Sequence, residues 1–271
     1  TVGQIGAAAA EINVVAITGA TINLGGNINT DDDTVGGSVS LTGAVVLTAA
    51  VTIDTDAGNG AVTLSSTLNG AFDFDISSGT GAVAIQGVTG ATAALASLDI
   101  NNLGGSGTIE VNAIGAGAAG VTNATRIGNA ATTTLTLDGG TYNANAATYT
   151  TRAGEFIDLT GPTTFTSTAD AITFATGTVD MADGANLTVN SAGGDISVAG
   201  IAGTSVEDVT LNAAAGDVTV GQIGAAAVEI NDVTITGTTI NLGGNINTDD
   251  DAGAAGDVDL NGAVVLTNNV A

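Results

Sequence analysis

The chain repeats itself, and that duplication limits what it can fold into. Residues 1–33 (TVGQIGAAAAEINVVAITGATINLGGNINTDDD) return as residues 219–251 (TVGQIGAAAVEINDVTITGTTINLGGNINTDDD), so Thr1 answers Thr219 and the period is 218 residues. After a one-residue shift the match continues, with Leu41 to Thr48 (LTGAVVLT) answering Leu260 to Thr267 (LNGAVVLT). The chain divides into one long unit, 1–218, and the start of the next copy, 219–271, with no change of composition at either end. Flanking copies in a longer protein are therefore expected.

A shorter, degenerate period runs inside the long unit. An apolar-x-apolar-x-x-apolar phrase followed by small residues begins at Val83, Ile109, Ile196 and Val218, with a looser form at Val62. Val62 to Val83 is 21 residues, Val83 to Ile109 and Ile109 to Leu135 are 26, and Ile196 to Val218 and Val218 to Ile240 are 22. Within each step the pattern alternates, as in Thr21 to Leu24, Val39 to Leu41, Leu135 to Leu137 and Asp257 to Leu260. Period-2 alternation of Val, Ile and Thr, punctuated by Gly-Gly, Asn-Gly and Asp-Gly, reads as short half-buried strands joined by turns. The longest alanine cluster, Ala7 to Ala10, is too short for a helix and reads as small residues at a corner.

Two all-β architectures accept such strands: tandem sandwiches of about 100 residues, or a parallel β-helix in which each winding stacks on the last. The step length favours the β-helix (β-solenoid). So does the lack of large aromatics, with Trp 0, Tyr 2 and Phe 5. The expectation is one continuous solenoid over 1–271, with about 22 residues per turn and roughly 12 turns. Asn23, Asn27 and Asn29, and their counterparts Asn241, Asn245 and Asn247, are candidates for stacked corners.

The charge balance excludes whole classes of function. Lys+Arg is 2 against Asp+Glu 27, a net charge of −25, so nothing can neutralise a phosphate backbone and no nucleic-acid partner is expected. No apolar run is long enough for a transmembrane helix, and direct membrane insertion is not expected. A mean hydropathy of +0.41 argues against disorder. His and Cys are absent, and the only cations are Arg126 and Arg152, so nucleophilic triads, thiolate chemistry and a Walker-type phosphate loop are excluded. A carboxylate pair could still cleave glycosides, yet the chain reads as non-enzymatic with no catalytic residues.

Three features carry candidate chemistry. Asp31, Asp32 and Asp33 recur as Asp249, Asp250 and Asp251, and Asp54/Asp56, Asp73/Asp75 and Asp257/Asp259 lie two apart. Clustered carboxylates suit Ca²⁺, but neither an EF-hand loop nor a calcium-roll nonapeptide is present. The stronger reading is a solvated, mutually repelling turn, with weak, diffuse Ca²⁺ binding at the six run residues as the second. Arg126, Tyr142, Tyr149, Arg152, Glu155 and Phe156 fall in one zone that forms either a modest ligand patch or an aberrant turn. Thr-rich stretches at 131–137 and 163–168 could order water or bind ice, but no fixed Thr-x-Thr recurs at each step, and β-propensity explains them. The sequons at Asn123 and Asn186 fit chance in a chain rich in Asn and Thr.

The strings TINLGGNINT from Thr21 and GDISVAG from Gly194 resemble the repeats of large bacterial surface exoproteins, the filamentous-haemagglutinin-like adhesins and autotransporter passenger domains. The resemblance covers essentially the whole chain. It implies a structural or adhesive rod segment of a giant secreted or cell-surface protein, extracellular or on the bacterial surface, meeting flanking repeats, glycans or a neighbouring cell. Two other readings stay open: a self-assembling subunit of an extracellular fibre, sheath or surface layer, and a module binding glycans or divalent cations.

Overall fold

A computed structural model describes residues 1–7, 12–30, 36–56, 58–118, 120–204, 206–225, 228–248 and 256–270. Among them there are 24 strands and no helix, and every pairing between these strands is parallel. The protein is a parallel β-solenoid.

Three columns of pairing run along it. The first links Val15 to Val39, Val62, Val83, Ile109, Leu135, Ile157, Val179, Ile201, Ile223 and Ile246. The second passes from Ile22 through Val45, Leu68, Thr89, Ile114, Tyr142, Phe165, Val189 and Leu211 to Ile235. The third passes from Ile28 through Ile53, Ile76, Ile100, Ile127, Tyr149, Phe174, Val198 and Val220 to Leu242. The first column makes ten steps between residues 15 and 246, about 23 residues each. This column therefore spans about ten turns, compatible with the roughly twelve expected over the whole chain, and at about 4.8 Å per rung it is on the order of 48 Å long. The turns average about one residue more than the expected 22 because some windings carry longer loops, as at 101–107.

Alternation decides which side chains enter the coil. In Leu135–Leu137, Ile157–Leu159 and Val179–Met181 the flanking apolar pair is buried and the residue between them is outward and half-buried. The interior is one continuous cluster from Val15 to Leu242. Most of it is aliphatic, but its middle is aromatic. Tyr142 stacks on Phe165 at 5.0 Å and Tyr149 on Phe174 at 5.3 Å, and Phe165 meets Phe174 edge-on at 4.9 Å. Tyr142 reaches a buried partner by donating to the Val111 carbonyl (2.7 Å) and accepting from the Gly139 N–H (3.0 Å).

Corners are closed by short polar side chains. Thr30, Thr55 and Ser78, all fully buried, donate their hydroxyls to the carbonyls of Gly37, Gly60 and Gly81 across the turn. Asx side chains then tie one rung to the next. Asn27 accepts from Thr52 N–H, Asn59 from Thr80, Asn69 from Thr92, Asn145 from Thr168, Asp195 from Asp217, and Asp217 from Thr239, all at 2.8–3.0 Å. Of the expected Asn corners, Asn27 acts in this way, while Asn247 donates to the Gly224 carbonyl and Asn241 to Thr219 Oγ1. The expected corner at Ala7 to Ala10 lies mostly outside the described residues.

The two copies of the long unit do not sit on the same side of the coil. Val15 belongs to the first column, but its counterpart Val233 pairs with Val209 in the second. Val2 bridges to Leu24 on the second face, and its counterpart Val220 pairs with Leu242 on the third. Ile5 bridges to Ile28 in the third, and its counterpart Ile223 bridges to Ile246 in the first. All three displacements agree. Nine turns separate Val15 from Ile223, and Val233 lies one face further on. The 218-residue unit thus takes nine and one-third windings, and the second copy is rotated by one face relative to the first.

Candidate functional site

The six run residues, Asp31, Asp32, Asp33, Asp249, Asp250 and Asp251, lie outside the described residues. Among the described residues no group of three or more acidic side chains converges to hold a metal ion. The Asp pairs that are described point outward as their spacing required. On strand Asp73–Ser77, Asp73 is exposed and accepts from Ser97 Oγ at 2.6 Å, and Asp75 is half-buried.

The zone from Arg126 to Phe156 does not form a ligand patch. Tyr142 and Tyr149 are fully buried inside the coil, and burial pushes both phenols up, so neither ionises near neutrality. Arg126 instead pairs with Asp99 on the rung below at 3.1 Å, and Arg152 pairs with Glu155 three residues on. Phe156 stays partly exposed on the first face. The alternation Tyr142, Ala144, Ala147, Tyr149 carried this signal: each lies at an inward position of its strand.

The clearest electrostatic feature is stacking of like charge. Parallel register places Asp158 directly against Asp180 on the first face, and Asp75 against Asp99 on the third. Burial, then the Asp180 charge, raises the pKa of Asp158. Burial, then Glu207, raises that of Asp180. Asp75 is raised by burial and by Asp99 and Asp73, against weaker lowering from the Thr52 hydrogen bond and Arg126. A shallow groove of about 230 Å³ beside Asp75, Asp99 and Leu103 opens on this part of the third face.

Glu207 behaves in the opposite way, and sequence reasoning missed it. It is fully buried at the corner before strand Val209–Asn212. Oε1 accepts from the Gly184 N–H (2.9 Å) and Thr204 Oγ1 (2.6 Å), and Oε2 accepts from the Thr204 N–H (2.6 Å). Burial alone would raise its pKa, but the hydrogen bonds from Thr204 and Gly184 outweigh burial and the net shift is downward. A signal existed: Thr204-x-x-Glu207 has the spacing of a capping box, here closing a corner rather than a helix.

These shifts set a pH dependence. Carboxyls whose folded pKa is raised bind protons more readily in the native state, so stability grows as pH falls through that raised value. Glu207, with a lowered pKa, contributes stability above its unfolded value, about 4.3, and loses it as pH falls through its folded value. Melting temperature is therefore expected to rise from pH 8 towards mild acid and to fall only in stronger acid. Asp158→Asn should raise stability at neutral pH by on the order of 1 kcal/mol or less after solvent screening, and weaken the acid gain. Melts followed by circular dichroism from pH 8 to pH 3 check both; a melting temperature that falls steadily on acidification contradicts them.

Comparison with known proteins returns no match among family models, curated sequences or solved structures. The likeness to surface exoproteins thus rests on the repeat texture of the chain alone. Among the described residues no helix is long and apolar enough to cross a membrane.

Proposed function

We propose that the chain is a non-catalytic rod segment, structural and adhesive, of a giant secreted or cell-surface repeat protein. The observation that supports this most is the join between copies. Strand Val218–Ile223, where the second copy begins, stacks on Ile196–Ala202 below and on Val233–Leu242 above, in unbroken register. The join is one more winding with the same buried aliphatic seam, so adding copies lengthens a rod without adding a hinge. Such a coil is quasi-one-dimensional, each turn stabilised by its neighbours, which suits a stiff spacer holding a binding tip away from a surface. Its −25 charge keeps rods apart and soluble.

Electron microscopy of the native full-length protein tests this reading. Isolated, unbranched rods lengthening by about 45 Å per 218-residue copy, at about 4.8 Å per winding, are expected. Beads joined by flexible necks would overturn it, and regular lattices or bundled fibres would assign the protein to an assembling sheath instead.

A further inference from the structure

The second face carries a lattice that is not visible along the sequence. Five successive rungs place Thr141-x-Asn143, Thr164-x-Thr166, Thr188-x-Asn190, Thr210-x-Asn212 and Thr234-x-Thr236 directly over one another. The first residues form a file of five threonines, and the second residues form a file of Asn, Thr, Asn, Asn and Thr. The residues between them, Tyr142, Phe165, Val189, Leu211 and Ile235, all point inward and are at most 1% exposed. No bulge interrupts the register over these rungs. Insertions upstream break the pattern, and Asp259 ends the threonine file on the next rung.

Two properties suit this surface to an ordered, uncharged ligand. It holds ten outward side chains without a single charge, in a chain whose net charge is −25. The five threonine hydroxyls of the first file make no hydrogen bond to another described residue, so they are left to solvent, on a face held rigid from behind by the aromatic and aliphatic interior. Rungs repeat at about 4.8 Å and outward residues along a strand at about 6.6 Å. Both spacings fall near repeats of the hexagonal ice lattice. Hydroxyls and amides at such points can take the places of lattice waters. Threonine methyls hold the intervening water in cages. Carboxylates, whose hydration shells ice cannot incorporate, are absent from these ten positions and lie at their margins, at Asp208, Asp232 and Asp259.

We propose that this five-rung face adsorbs to crystalline ice. The inference goes beyond the rod reading and does not depend on it: the rod reading stands without this activity, and the face works equally on an assembling subunit.

The test is ice growth and thermal hysteresis with the 271-residue chain, the double substitution Thr188→Lys/Thr210→Lys at the centre of the face, and Thr63→Lys on the first face as control. The unsubstituted chain and the control should shape ice crystals and hold a hysteresis gap, while the double substitution loses both with its β-sheet circular dichroism retained. If the pair unfolds the chain, Thr210→Lys alone should give the same loss. An unsubstituted chain that affects ice no more than another acidic protein at equal concentration overturns the proposal. So does a substituted chain that stays fully active, or retention on crystalline chitin or cellulose without any effect on ice.

Discussion

Val198→Asp should open the stack around a single turn while leaving distant turns folded. Val198 is 2% exposed and lies between Phe174 and Val220 in the third column. A carboxylate there has no cation within the coil, since both arginines are paired at the surface. Burying it unpaired is expected to cost about 4–5 kcal/mol or more. In a quasi-one-dimensional fold this cost falls on nearest neighbours. Hydrogen exchange should therefore show lost protection over residues 172–223, with windings before Leu137 retaining theirs. Ser197→Asp, one residue earlier and facing out, is the matched control and should change stability by about 0.5 kcal/mol or less. Equal damage from the two substitutions would mean that the strand does not alternate as described.

Glu207→Ala should be the most damaging substitution of any acidic residue described. Removing the carboxylate leaves the Thr204 hydroxyl and N–H and the Gly184 N–H without their acceptor at a part-buried corner. Losing these charge-assisted hydrogen bonds, with donors that water can partly reach, costs about 1.5–3 kcal/mol. Glu207→Gln keeps shape and one carbonyl acceptor and should cost clearly less. Denaturant melts at pH 7 rank the two. In acid the difference between the original chain and Glu207→Gln should shrink, because protonating Glu207 removes the same charge. A Glu207→Ala chain as stable as the original would show that this corner contributes nothing to the stack.

Much of the fold is legible because neighbouring rungs share one interior. Each interval measured along the sequence corresponds to a registered pair in space: Val62 with Val83, Val83 with Ile109, Ile109 with Leu135, Ile196 with Val218, and Val218 with Ile240. Apolar-x-apolar alternation survives because a one-residue slip would turn the buried set outward. What faces solvent is under no such constraint and is harder to read. Ice binding at the Thr-rich stretch 163–168 is set aside on sequence grounds because no fixed Thr-x-Thr recurs along the chain, where Asn takes the second position on three of the five rungs. Only pairing geometry, which absorbs loop insertions, brings them into line. The tyrosines were misassigned for a related reason: proximity to Arg126 and Arg152 along the chain suggested a patch, whereas strand alternation turns rings inward and guanidinium groups outward. Glu207 shows the limit of a composition argument, since one buried acid among 27 acidic residues has no compositional signature.

The rotation of the second copy is a consequence of arithmetic that evolution need not have chosen. A duplicated unit inserts without disturbing its neighbours if it contains whole faces, not whole turns, because each face offers the next strand the same kind of hydrogen-bonding edge. Nine turns and one face satisfy that condition. Any surface carried by the long unit is then presented one face further round in the following copy, as the displacement of Val15 to Val233 shows.

Coaxial winding is tested most directly by distances between spin labels on the first face. The chain has no cysteine, so labels attach only where cysteines are introduced. Ser40, Thr63, Ala84, Glu110, Thr136, Asp158 and Asp180 follow one another in register along the outer side of that face. Electron–electron resonance on the cysteine pairs at 40/136, 63/180 and 40/180 should give separations near 19, 24 and 29 Å, at about 4.8 Å for each winding. Distances that increase by one constant step per winding support a single shared interior; broad distributions, or distances unrelated to the number of windings, would contradict it.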